Sequence, residues 1–201
     1  VSVPSSAVRR RSPLLRAVVV AGLAGSLGGC NSAALTSYDL LAAPSVSSRK
    51  GVIRGALTVG EPRTDNVLDS DRIVVRTGAT ELAYLSDAQW SERLPALVQS
   101  RLIATFQNAH FLRHVGRPGD PSDYDLIVDL RRFEIDTTTN EARVEMAVRI
   151  LGAGKGRAVA GKVFTASAPA PHTANGAAAA ALDAALANVM RAIVAWTAAA
   201  I

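Results

Sequence analysis

The chain has 201 residues, 49% hydrophobic and only 4% aromatic, with a formal charge of +5 and a single cysteine. One thiol excludes an internal disulfide, so burial has to hold the fold together. Four of the 22 basic residues (Arg9, Arg10, Arg11 and Arg16) precede residue 17 with no acid among them; the 18 left over face 17 acids, which excludes the basic footprint of a nucleic-acid binder.

Behind the basic block, Ala17 to Gly29 is an uncharged run of 13 residues. A bilayer core takes roughly 20 helical residues, so this run is too short to span one. It has the length of the apolar segment of a secretory signal. The run closes on Leu27-Gly28-Gly29-Cys30, a branched apolar residue and two small ones before the thiol. This resembles the bacterial lipobox, whose small residues let a peptidase draw the stretch extended into a narrow cleft. The resemblance implies cleavage between Gly29 and Cys30, a diacylglycerol on the Cys30 sulfur and an N-acyl chain on its freed amine. One acyl chain binds a membrane only marginally, but each buried methylene adds about 0.8 kcal/mol, so two or three chains on one residue anchor a domain for its lifetime. Residues 1–29 therefore read as a signal peptide, 30–37 as a tether, and 38–201 as one domain with one core. By analogy with enteric bacteria, an aspartate after the cysteine would retain the protein at the inner membrane, so Asn31 points to the outer one.

The folded part opens with "SYDLLAAPSVSSRKG", where Tyr38 and Leu40 alternate with Asp39 before Pro44, as in an edge strand. "GALTVGEP" reads as a second strand with Leu57 and Val59 on one face. "DRIVVRTGATELAYL" reads as a hairpin around Gly78, with Ile73 and Val75 on one face and Arg72, Val74 and Arg76 on the other. Ser86-Asp87-Ala88-Gln89 has the form of a capping box, predicting a short helical turn. Pro95 then forces a break, with a longer helix from Leu94 to Ala109 marked by Leu94, Leu97, Val98, Leu102 and Phe106.

"DYDLIVDLRRFEID" alternates with Leu126, Val128 and Leu130 inward, and the parity then moves to Phe133 and Ile135. A shift of one at Arg131-Arg132 predicts a β-bulge. "ARVEMAVRIL" sets Val144, Met146, Val148 and Ile150 against Arg143, Glu145 and Arg149, so one face of the sheet is wet. "GAGKG" turns the chain and "RAVAGKVFTASAP" returns it. Ala177 to Ile201 carries Leu182, Leu186, Val189, Ile193 and Trp196 at helical spacing. The expected fold is an α+β two-layer sandwich, a mostly antiparallel sheet of about six strands with two main helices on one face.

Candidate chemistry is sparse. The last helix is long enough to span a membrane, but Asp183, Asn188 and Arg191 oppose insertion, each charge costing roughly 2.5–3.5 kcal/mol at the centre. In "GAGKG" Lys155 is followed by glycine, not by the Ser or Thr of a phosphate loop, and the segment joins two strands. His110 and His114 have the i, i+4 spacing of two metal ligands, but Phe111 occupies the place of the zinc-protease glutamate. Asp65, Asp69 and Asp71 lack the central glycine and closing glutamate of a calcium loop. No nucleophile elbow appears. The residues point to no enzyme, no metal and no cofactor beyond the lipid itself.

Asp69-Ser70-Asp71-Arg72-Ile73, followed by Tyr84, Trp90, Leu94 and Pro95 within "ELAYLSDAQWSERLPALVQSRLIATF", and then "DLIVDLRRFEI" and a final "AIVAW", give a distinctive order. This order resembles the ABC-type transport auxiliary lipoprotein family, to which paraquat-inducible protein C-like proteins belong. The resemblance implies an outer-membrane lipoprotein facing the periplasm, a homo-oligomer partnered by an MCE-domain protein and an ABC ATPase and permease. Such systems move phospholipids or other hydrophobic molecules between the two membranes, and this component would dock rather than catalyse. A structural lipoprotein binding peptidoglycan or another outer-membrane complex, and an envelope enzyme with a dispersed site, are the competing readings. On the resemblance, Asp69, Asp71, Arg72, Tyr84, Trp90 and Pro95 are structural motif residues and Cys30 is the chemical one.

Overall fold

In the computed structural model the described residues are Ser2, 35–44, 53–154, 156–170 and 175–201. Apart from Ser2, the expected signal peptide 1–29, together with Cys30, Asn31 and Lys155, lies outside them. The elements belong to the unit Ala34–Ile201.

Strand β6 (Tyr124–Asp136) organises the sheet because its 13 residues are long enough to serve several neighbours. One edge pairs along its length with β7 (Glu141–Gly152), which pairs in turn with β8 (Ala158–Pro169), both antiparallel. The other edge is divided. β2 (Ile53–Val59) runs parallel to Tyr124–Leu126 and carries β5 (Leu112–Gly116), parallel again. β3 (Arg72–Arg76) runs parallel to Glu134–Asp136 and carries an antiparallel β4 (Leu82–Trp90). The short β1 (Thr36–Tyr38) lies parallel to the end of β4. Between β2 and β3 the Arg63 N–H donates to the Val128 carbonyl at 2.9 Å, and the Leu130 N–H donates to the Arg63 carbonyl at 2.7 Å.

Helices α1 (Leu94–Ala109) and α2 (Asn175–Ala200) pack on each other and on one face of this sheet. Leu182, Ala185, Leu186, Val189, Met190 and Ile193 of α2 are buried, as are Val144, Met146, Val148 and Ile150 of β7. The α+β two-layer class is as expected, with two differences. The sheet has eight strands rather than about six, and four of its seven strand pairings are parallel among the described residues. Parallel neighbours need long crossovers, so nothing local in the sequence marks them.

The predicted bulge is present. Leu130 pairs with Met146 and Arg132 with Glu145, which leaves Arg131 as the extra residue. Phe133 and Ile135 thereby return to the core. The predicted capping box is not a helix start: Ser86 to Gln89 lie in β4. Asp87 takes a φ of 56°, and the pairing with β3 shifts between Val74–Tyr84 and Arg72–Gln89, so the strand kinks there. Burial decided the outcome, because Ala88 and Trp90 are inaccessible and pair with β1. The helix begins at Leu94 with Pro95 in its first turn, where the proline ring and missing N–H cost least. Arg93 at the cap position provides no side-chain cap; instead the Leu94 N–H donates to the Ser70 carbonyl at 2.9 Å.

Candidate functional site

Two features stand out, an open sheet face and the junction that frames one corner of it. Arg143, Glu145 and Arg149 alternate with the buried face of β7 and point away from the helices, as expected. Register adds partners that the sequence pattern did not show. Arg143 reaches Asp136 at 3.1 Å and Glu141 at 3.2 Å, and Arg149 reaches Asp129 at 3.5 Å. Glu145 is shared by Arg131 at 3.6 Å and Arg132 at 3.9 Å. Arg76 forks onto Glu134, with Nε–Oε1 at 2.8 Å and Nη2–Oε2 at 3.0 Å.

Glu134 and Asp136 are the buried acids of this face, each with a side chain only 5% exposed. The Thr138 hydroxyl and N–H, reinforced by Arg143, hold the Asp136 carboxyl below its ordinary range against the opposing effect of burial. The fork to Glu134 raises the Arg76 pKa in turn. Arg132, Glu141, Arg143, Glu145, Thr165 and Ser167 border a shallow depression of about 450 Å³. The exposed ion pairs contribute little to stability, about 0–1 kcal/mol each. The pairing fixes donors and acceptors in place with little net charge, an arrangement that matches a shaped polar surface better than a simple anion.

The junction gathers the motif residues. Asp69 accepts from Arg93 Nε at 3.0 Å, and the Trp90 N–H donates to the Asp71 carbonyl at 2.7 Å. The Arg72 guanidinium lies 5.1 Å from the centre of the Tyr84 ring. The Trp90 ring meets Phe133 edge-on at 5.6 Å, and Pro95 is buried in the first turn of α1. Asp69, Asp71, Arg72, Tyr84, Trp90 and Pro95 thus lie where β3, β4 and α1 join. Most of these contacts fix backbone and packing; Arg72 and Tyr84 face outward.

The remaining candidates scatter. His110 is the left-handed C-cap of α1, and His114 lies on β5 with Nε2 at 3.3 Å from Asp120 Oδ2. The helix ends before the second histidine, so the two do not share a helix face. The Asp65 carbonyl accepts the Leu68 and Asp69 N–H groups in a turn. Between the antiparallel β7 and β8, Gly154 and Gly156 take positive φ, as in a hairpin turn. No group of three or more His, Cys, Asp or Glu side chains is arranged for a metal among the described residues. Asp39, outside any predicted site, accepts from Arg101 at 2.6 and 2.7 Å. Burial pushes its pKa up, but the bonds from Arg101 and the Leu40 N–H outweigh that and leave it lowered.

The pattern that defines the ABC-type transport auxiliary lipoprotein component family matches residues 38–194. The crystal structure of protein XCC0632 from Xanthomonas campestris superposes with a TM-score of 0.77 at 28% identity, over 82% of this chain and 96% of that one. An uncharacterized protein of known structure shares the fold at a TM-score of 0.66 and 14% identity, over 82% of this chain and 98% of its own. The uncharacterized protein bll6063 of Bradyrhizobium diazoefficiens is 31% identical over 183 residues, which is 89% of this chain. The chain spans about half (49%) of that relative's length.

Proposed function

Since this chain belongs to the ABC-type transport auxiliary lipoprotein component family, we propose that it is a lipid-anchored docking component, not an enzyme. It works beside an ABC ATPase and permease and an MCE-domain protein, on phospholipid or another hydrophobic cargo moving between the two membranes. The observation that carries this reading is the open sheet face. An ordered array of paired Arg, Asp and Glu side chains lies opposite the helix layer with no element of the described chain over it. Cys30 carries the diacylglycerol and N-acyl chain after cleavage at Gly29, and Asn31 directs the protein to the periplasmic face of the outer membrane. The same surface serves a homo-oligomer as readily as an MCE partner.

Affinity purification of the native chain in mild detergent, followed by mass spectrometry, tests the partnership. Recovery of an MCE-domain protein together with the ATPase is expected. Recovery of peptidoglycan fragments instead would favour a structural lipoprotein. Cys30→Ser is expected to give a folded but released domain and to abolish transport in cells. Full transport by the unlipidated form would refute the anchoring role.

A further inference from the structure

We propose that the corner of the open face where the tether enters the domain, formed by Leu35, Arg72, Leu82 and Tyr84, rests against the phospholipid headgroups of the membrane that holds Cys30. The inference deepens the proposed function and rests on its lipid anchor. Three observations carry it.

The first is reach. From Cys30 to Leu35 is five residue steps, about 18 Å when fully extended. A folded unit of this size is about 40 Å across, so the tether is shorter than half the domain and its point of entry decides which surface meets the bilayer. β1 runs parallel to the last residues of β4, with Thr36 opposite Ala88 and Tyr38 opposite Trp90. Leu35, at the start of β1, therefore lies on the side of Asp87 that faces the first half of β4, which holds Leu82 and Tyr84.

The second is composition. Leu35, Leu82 and Tyr84 are three of the exposed large apolar side chains, at 43–45% accessibility. Leu82 pairs with Arg76 and Tyr84 with Val74, which places them on the face away from the helices. Leu35 keeps the parity of Ser37, whose hydroxyl accepts from Gln89, and Gln89 pairs with Arg72. A tyrosine with an apolar body and polar tip is suited to a membrane–water boundary.

The third is Arg72. On this face Arg76, Arg131, Arg132, Arg143 and Arg149 each reach a carboxylate. Arg72 has none among the described residues, and its Nε is buried without an acceptor. The Tyr84 ring holds the guanidinium in place and leaves its Nη donors for an oxyanion. Arginine meets a phosphate with two parallel bonds, and headgroup phosphate lies where the tether brings this corner. A protein partner would have to supply a carboxylate here; the tether supplies a bilayer at once.

The test uses the native lipidated chain in phosphatidylethanolamine–phosphatidylglycerol vesicles that contain doxyl-labelled lipid. Leu82→Cys is labelled with bimane, and Val163→Cys on β8 is the control at the far edge of the same face. At least a twofold quench at position 82 and almost none at 163 is expected. Arg72→Gln should halve the quench at 82 without moving the thermal midpoint. Equal quenching at both sites, or none at 82 in protein that sediments with the vesicles, would overturn the inference. So would protection of the label at 82 by a co-purified protein, which would assign the corner to that partner. Failure to sediment would instead remove the anchor, and this inference with it. If Leu82→Cys does not fold, Leu35→Cys, which lies outside the strands, takes its place.

Discussion

Trp90 offers a sharp test of the junction because two properties of its side chain pull in opposite directions. Its side chain is 1% exposed and packs edge-on against Phe133, yet its Nε1–H is buried with no acceptor among the described residues. Truncation to alanine deletes the ring and leaves a cavity, a loss of about 3–5 kcal/mol. Phenylalanine keeps the aromatic contact. It gives up on the order of 40 Å² of apolar area, about 1 kcal/mol at 25 cal/mol per Å². It also removes an unsatisfied donor whose burial costs about 1–3 kcal/mol. Trp90→Phe should therefore cost no more than about 1 kcal/mol. Urea unfolding followed by the fluorescence of Trp196, the remaining tryptophan, separates the cases. With a slope of about 2 kcal/mol/M, the alanine midpoint should fall by about 2 M and the phenylalanine midpoint by no more than about 0.5 M. If phenylalanine costs as much as alanine, the indole N–H has a partner and the reasoning fails.

Asp136 contributes stability that is fully present above the ordinary aspartate pKa, about 3.9. That contribution is lost as pH falls through the lowered value of the folded state. Asp136→Asn should therefore flatten the acid limb of the stability profile, and an unchanged limb in urea titrations at successive pH values would contradict this. Gly116→Ala would place a Cβ 1.9 Å from Asp120 Oδ2 and 2.8 Å from His114 Nε2. The Asp120 side chain should swing away and release the Arg117 N–H, which it accepts at 3.2 Å; faster hydrogen exchange at that amide checks it. Leu186, fully buried in α2, should cost about 2–5 kcal/mol on replacement by alanine, read from the same urea transitions.

Several elements were legible because one local rule governed them. Pro95 and the spacing of Leu94, Leu97, Val98, Leu102 and Phe106 set the bounds of α1, and the observed helix is Leu94–Ala109. The parity change after Leu130 required an extra residue in one strand, and Arg131 is that residue. Ser86 to Gln89 misled for the same reason, since a capping box describes only four residues. Whether those four begin a helix or bend a strand depended on the burial of Ala88 and Trp90, which only the fold supplies. The alternation of β7 exposed Arg143, Glu145 and Arg149, but not their partners. Arg132 stands directly opposite Glu145 only because the bulge sets that register, while Arg143–Asp136 and Arg149–Asp129 are diagonal contacts across the hairpin. The corner at Arg72 was hidden in a similar way: the hairpin and an edge strand at Tyr38 were visible, but the parallel pairing of that strand with the end of β4 was not.

The two long apolar stretches of this chain show why hydropathy alone does not assign an anchor. By length and mean hydropathy (1.5) α2 could cross a bilayer, yet half of its most apolar window is buried in the fold. Leu182, Leu186, Val189, Met190 and Ile193 are covered by protein, and Asp183 accepts the Leu41 N–H at 2.7 Å. Moving α2 into lipid would strip the helix layer from β7 and β8 and strand Asp183 in hydrocarbon. The small side chains Ala179, Ala181, Ala185 and Ala198, buried along with these, let the helix approach the sheet closely, whereas membrane insertion draws on large apolar ones. Membrane attachment on the proposed function therefore falls to the acyl chains on Cys30, which take nothing from the core. A covalent lipid leaves both layers intact and the open face free to engage a partner. An inserted α2 would have to choose between holding the membrane and holding the fold.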